Sequence, residues 1–243
     1  MTDEPKSDHV FDGGAMDCGS GLILLIRQNM LEVPVGGILE IRSSEPTVES
    51  ELPPWCRMVG HTHVGTVKEQ EGAWRHWVQR GDETKSEQAG LDSDKQKAQA
   101  FKWSMRARRT SDLETTLYTR NFSWKSAASI DFDRTGKLPS SLEQFFGAIL
   151  SDVMNCLALR CSRHGIILDD LEATLNATLN NTLAAVGLES GEASVDKIAV
   201  AIYVTTPAPE TEIRSRLDEA LADSAAFGTM RKACEIESRL ILL

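Results

Sequence analysis

The sequence predicts an α+β protein made of two units in tandem, and three observations carry that expectation. In roughly the first 80 residues, alternating and amphipathic segments follow one another as strand, helix, strand, helix, strand, strand. From Asp82 to Gln99 the composition turns to Glu, Lys, Ser, Gln, Asp and Gly, with almost no large apolar residue. Beyond it a second mixed pattern is centred on a long apolar helix. With 243 residues, 41% of them hydrophobic, the chain can bury one large core or two ordinary ones.

The totals exclude several functions. A net charge of -10 argues against a nucleic-acid binder, and the short basic cluster Arg106-Ala107-Arg108-Arg109 reads as a solvated strand face. No apolar run approaches the roughly 20 residues that cross a bilayer, and the N-terminus is acidic, so no membrane partner and a cytoplasmic setting are expected. The five cysteines are odd in number and form no C-x-x-C, so at least one thiol should be free. His61 and His63 alternate on a strand, but two histidines are too few for a metal site; no metal and no cofactor are expected.

In chain order, Leu22 to Leu31 fits a helix stopped by Pro34 and Gly36-Gly37. Gly37 to Ser43 alternates as a half-buried strand. A second helix should span Thr47 to Val59, with a kink or restart at Pro53-Pro54, because proline removes a donor and clashes with the preceding turn. His61 to Gln70 and Gly72 to Arg80 read as paired strands. The polar stretch is a flexible linker or a short solvated helix. This gives a first domain over 1–81, a linker over 82–100 and a second domain over 101–243.

The second domain opens with strands at Phe101 to Arg109, Leu113 to Arg120 and Phe122 to Phe132. Pro139-Ser140-Ser141 starts a long helix from Leu142 to about His164. Its Phe145-Phe146-Gly147-Ala148-Ile149-Leu150 centre is apolar nearly all round, so it should be buried against a sheet or a partner subunit. Strands follow at Leu171 to Asn180 and Lys197 to Thr205, then a helix from near Glu210 and a final strand from Glu237 to Leu243.

The candidate chemistry is sulfur chemistry. Cys18 sits where the glycine-rich Phe11 to Gly21 stretch gives way to the first helix. Unpaired amides at a helix start favour a thiolate, so Cys18 is expected to ionise readily and to attack or carry sulfur, with a relic thiol as the alternative. Cys56 reads as core filler.

Phe11-Asp12 with Cys18, Pro54-Trp55-Cys56-Arg57 and Gly60-His61 resemble the TusA/SirA-like sulfur-carrier family over nearly the whole first domain. The resemblance implies two helices on a four-stranded sheet and a persulfide carried on the cysteine. The family's Cys-Pro-x-Pro is here Cys18-Gly19-Ser20-Gly21, which loosens the helix entry.

The second domain resembles the OsmC/Ohr family through Leu142 to Ala148, His164-Gly165 and Ala233-Cys234-Glu235-Ile236. That resemblance implies a homodimer, apolar ligands and a peroxidatic cysteine in the long helix resolved by Cys234. The attacking position falls on Asp152 or Val153, depending on the register used, and neither can attack a peroxide. Cys156, one turn on, is either a relocated nucleophile or helix packing, and Cys18 of the first domain is the other thiol that could take the attacking role. Glu143 is either the family's glutamate or an ordinary first-turn acid.

The expected function is a sulfur-carrier or thiol-redox protein using Cys18, with a homodimerising second domain and a sulfur donor or acceptor protein as partner. The alternatives are a thiol peroxidase using Cys156 with Cys234, and a non-catalytic binding or scaffold protein.

Overall fold

The computed structural model describes residues 4–69, 72–82, 84–132 and 136–243. The chain forms two compact units, Met1–Lys102 with Ser162–Gly165, and Trp103–Cys161 with Ile166–Leu243.

The first unit contains β1 (His9–Asp12), α1 (Leu22–Met30), β2 (Ile38–Ser43), α2 (Thr47–Val59), β3 (Thr62–Lys68) and β4 (Trp74–Gln79). Its sheet has the order β1-β2-β4-β3. Strand β1 lies parallel to β2, a pairing that needs a crossover, and α1 supplies it. Strand β4 pairs antiparallel with both neighbours. Leu22, Ile26 and Met30 of α1 and Val48, Leu52 and Cys56 of α2 are fully buried, as are Leu39, Ile41 and Val78 of the sheet.

Helix α2 runs without a break through Pro53 and Pro54, so the expected restart does not occur. It ends at Gly60, whose φ of 82° suits only a residue without a side-chain clash. Gln70 and Glu71, in the expected turn between the two strands, lie outside the described residues.

The polar stretch forms α3 (Thr84–Gln99). One apolar residue, Leu91, is 1% exposed, and Asp94 pairs with Arg27 of α1 at 3.1 Å. A Cβ at Gly90 would fall 2.6 Å from the Arg27 guanidinium, so glycine is what permits this approach. The first unit therefore reaches Lys102, and a docked helix occupies the stretch expected as linker or solvated helix.

The second unit has a sheet of β5 (Arg106–Arg109), β6 (Thr115–Thr119) and β7 (Phe122–Ser126), all shorter than the sequence suggests. Helix α4 (Ser141–Arg163) follows. A second sheet, ordered β10-β9-β8, joins β8 (Asp170–Leu179), β9 (Val195–Thr205) and β10 (Glu235–Leu242). Three further helices complete the unit: α5 (Thr182–Ala185), α6 (Glu210–Asp223) and α7 (Ala225–Met230). Helices α5 and α7 have no counterpart in the sequence expectation, being too short to show a period.

Ile149, Val153, Leu157 and Cys161 recur every fourth residue on α4 and bury one stripe against Ile198, Val200, Ile202 and Val204 of β9. Ile213, Leu217 and Ala220 of α6 close the same core. Contrary to expectation, α4 has the length and apolar composition of a bilayer-crossing helix; Ser151, Asp152 and Asn155 interrupt the run and hide it from inspection.

Candidate functional site

The stretch around Cys18 is built from the end of β1. The Gly13 amide donates to the Arg42 carbonyl at 2.9 Å, and the Gly14 amide to Asp12 Oδ1 at 2.8 Å. A Cβ at Gly13 would meet Leu22 Cδ1 at 2.6 Å, so glycine lets the chain turn tightly over α1. Asp17 then caps a short 3-10 turn, Cys18–Ser20, by accepting the Ser20 amide at 2.6 Å.

Cys18 is the first residue of that turn and not of α1, which begins only at Leu22. Gly21, at φ 102°, breaks the backbone between them.

Burial and the nearby acidic charges oppose the expected ionisation. Cys18 is half-buried, and the acidic side chains that act on its thiol are Glu51 of α2 and Asp17. Burial first, then the Glu51 carboxylate, then Asp17, push the Cys18 pKa up to about 12. Both effects run against the readily ionised thiol expected from the sequence. Sequence reasoning missed Glu51 because nothing in its spacing links an acid in α2 to a loop cysteine.

His61 precedes β3 and packs edge-on to Trp55 at 5.8 Å, while its Nδ1 receives the Gly81 amide. His63 Nε2 lies 3.0 Å from Thr66 Oγ1, which lies 2.8 Å from His76 Nδ1. No group of three metal-ligating side chains occurs among the described residues. Cys56 is fully buried, and burial pushes its thiol up to about 12.

In the second unit, Glu143 Oε2 accepts the Ser140 amide at 2.7 Å, and Ser140 Oγ accepts the Glu143 amide at 3.1 Å. This reciprocal box closes the start of α4 and lowers the Glu143 pKa. Val153 is buried in the core. Asp152 Oδ2 accepts the Ser224 hydroxyl at 2.7 Å and the Ala226 amide at 2.9 Å, tying α4 to the start of α7.

Cys156 feels Asp152, Asp223 and Arg160, whereas Cys234 feels Asp196. Burial raises both thiols, and both cysteines pack against the same hydrophobic core. All five cysteines are free. Arg120 sits at the β6–β7 turn with φ 47° and lies over the Phe122 ring.

The chain joins an N-terminal part similar in sequence to TusA sulfur carriers to a unit with an OsmC-like fold. No family profile matches the chain. Its N-terminal part is similar to the sulfur carrier protein TusA of Pseudomonas entomophila (strain L48), 22% identical over 73 residues, or 30% of this chain and 89% of that protein. The putative sulfur carrier protein YrkF of Bacillus subtilis (strain 168) is 29% identical over 84 residues, 35% of this chain and 44% of that protein. The crystal structure of an OsmC like protein from Mycoplasma pneumoniae matches with a TM-score of 0.51 and 16% identity, covering 59% of this chain and 98% of its own. At that identity the likeness defines the fold.

Proposed function

We propose that the protein is a sulfur carrier whose relay thiol is Cys18, with the second unit serving as a dimerisation and apolar-ligand platform. The observation that carries this reading is a half-buried loop thiol at the end of β1 in a TusA-like unit. In the proposed step, the Cys18 sulfur attacks the outer sulfur of a donor persulfide. A new S–S bond forms on Cys18 as the donor's S–S bond breaks, and the donor leaves as a thiolate that takes up the thiol proton. No net oxidation occurs. Free thiols throughout suit the reducing cytoplasm expected from the sequence.

A platform role for the second unit is supported by what its sites do. Asp152 and Val153 hold the two candidate attacking positions for structural purposes, and Glu143 closes a helix cap. Dimerisation is supported by uncovered apolar surface: Met105 and Phe122 are 59% and 60% exposed, and among the residues of β5, β6 and β7 only Ser126 is buried. A sheet this small needs a covered face to be stable.

Incubation with a cysteine desulfurase and cysteine should add one sulfur atom to the Cys18 peptide, and Cys18→Ser should abolish the addition. No gain, or a gain that survives in the serine variant, refutes the carrier reading. Sedimentation should give a dimer that Met105→Glu with Phe122→Glu dissociates; a monomeric parent chain refutes the platform.

A further inference from the structure

We infer that β5 is a docking edge for an extended acidic peptide segment of a partner protein. The segment adds to the three-stranded sheet as a further strand and sets its carboxylates on Arg106 and Arg108. The inference is independent of the sulfur-carrier reading.

Strand β5 ends the order β5-β6-β7 and pairs only with β6 among the described residues, so its other backbone edge has no strand beside it. All four of its residues are exposed. Such an edge is a template, because its outward N–H and C=O groups already have strand geometry. The register places Arg106, opposite Tyr118, and Arg108, opposite Thr116, on one face of the sheet. Ala107, Leu117 and Trp124 lie on the other face with Phe122, in the apolar surface assigned above to the dimer. Arginine contacts on the first face therefore leave that apolar surface uncovered.

The charge at this edge selects the partner. Between Arg106 and Ser126 five cations meet two acids, in a chain of net charge -10. Those acids are already engaged: Glu114 pairs with Lys125 at 3.1 Å and Asp112 with Arg109 at 3.0 Å. No acid pairs with Arg106 or Arg108 among the described residues, and the Arg106 guanidinium is held 4.3 Å from the centre of the Tyr118 ring. Side chains two residues apart on a strand are about 7 Å apart, so acids at alternate positions of an extended peptide meet both arginines together. The same arginines repel a second copy of β5, so the edge accepts an acidic strand and refuses its own. A nucleic acid fits less well, since its affinity grows with the number of phosphates neutralised and the rest of the chain is acidic.

The test uses the full chain and fluorescence anisotropy of a fluorescein-labelled peptide in which glutamate alternates with threonine. The peptide should bind, about tenfold more weakly when NaCl is raised from about 50 mM to about 500 mM. Arg106→Gln with Arg108→Gln should weaken binding about tenfold. A peptide with proline at every threonine keeps its charge but loses strand donors, and it should also bind about tenfold more weakly. Amide exchange should slow at Arg106–Arg109 when the alternating peptide is bound. Melting temperatures separate the effect of the double substitution from misfolding, and the proline peptide tests the edge on the unaltered chain.

No binding of the alternating peptide overturns the proposal, as does equal binding by the substituted chain or by the proline peptide. A single-stranded oligothymidylate that binds the parent chain more tightly than the peptide, and loses affinity with the same substitutions, assigns the surface to nucleic acid and overturns it as well.

Discussion

Acidification should destabilise the first unit through His76. This residue of β4 is fully buried, opposite Ile41 of β2 and Thr66 of β3. Its Nδ1 meets Thr66 Oγ1, and no hydrogen-bond partner for its Nε2 exists among the described residues. Burial first, and then the charge of His63, lower its pKa to about 4. In the unfolded chain a histidine titrates near 6.5. The unfolded state therefore binds the proton first as pH falls, and native stability declines from about pH 6.5 to about pH 4, levelling off below.

The full loss is about 3 kcal/mol, of which about 2 kcal/mol falls between pH 7 and pH 5. Burial also lowers the His63 pKa, so its contribution has the same sign. Urea unfolding of a Trp103→Phe, Trp124→Phe background isolates the fluorescence of Trp55, Trp74 and Trp77, all in the first unit. His76→Asn in that background should lower stability at pH 7 through lost packing, yet flatten most of the decline towards pH 5. Parallel pH curves for the parent and His76→Asn would refute the reasoning.

Three further outcomes are expected. Glu143→Ala should cost about 1 kcal/mol by opening the box at the start of α4, read by thermal unfolding, and should leave the alkylation rates of Cys156 and Cys234 unchanged. Asp152→Ala should cost about 1–3 kcal/mol and speed amide exchange in α7, because the Ser224 hydroxyl and the Ala226 amide lose their acceptor. Leu91→Ala should weaken the docking of α3 by about 2–5 kcal/mol, visible as faster exchange across Thr84–Gln99 with the sheet still protected.

Much of the fold is legible in local pattern. The apolar run from Leu22 and the alternation of Ile38 to Ser43 place α1 and β2 within a residue or two, and Ser140 with Glu143 marks the start of α4. Short elements were not legible: α5 and α7 are shorter than two helical turns, β5 begins after the alternation does, and β7 ends before it. In α3 a single leucine, helped by one glycine and one ion pair, docks a helix whose composition reads as solvated.

The sequence by itself determined the two α+β units, the location of a loop thiol before the first helix, and the absence of a cysteine at either candidate attacking position in α4. Those properties depend on residue type and on neighbours within a turn or two, which the chain order contains. Only the tertiary structure decided that burial and Glu51 oppose ionisation of Cys18, that Asp152 anchors α7 and that His76 is buried beside Thr66. The physical reason is common to all three: ionisation and hydrogen bonding depend on which groups meet in space, and Glu51, Ser224 and Thr66 reach their partners only after the chain has folded back on itself.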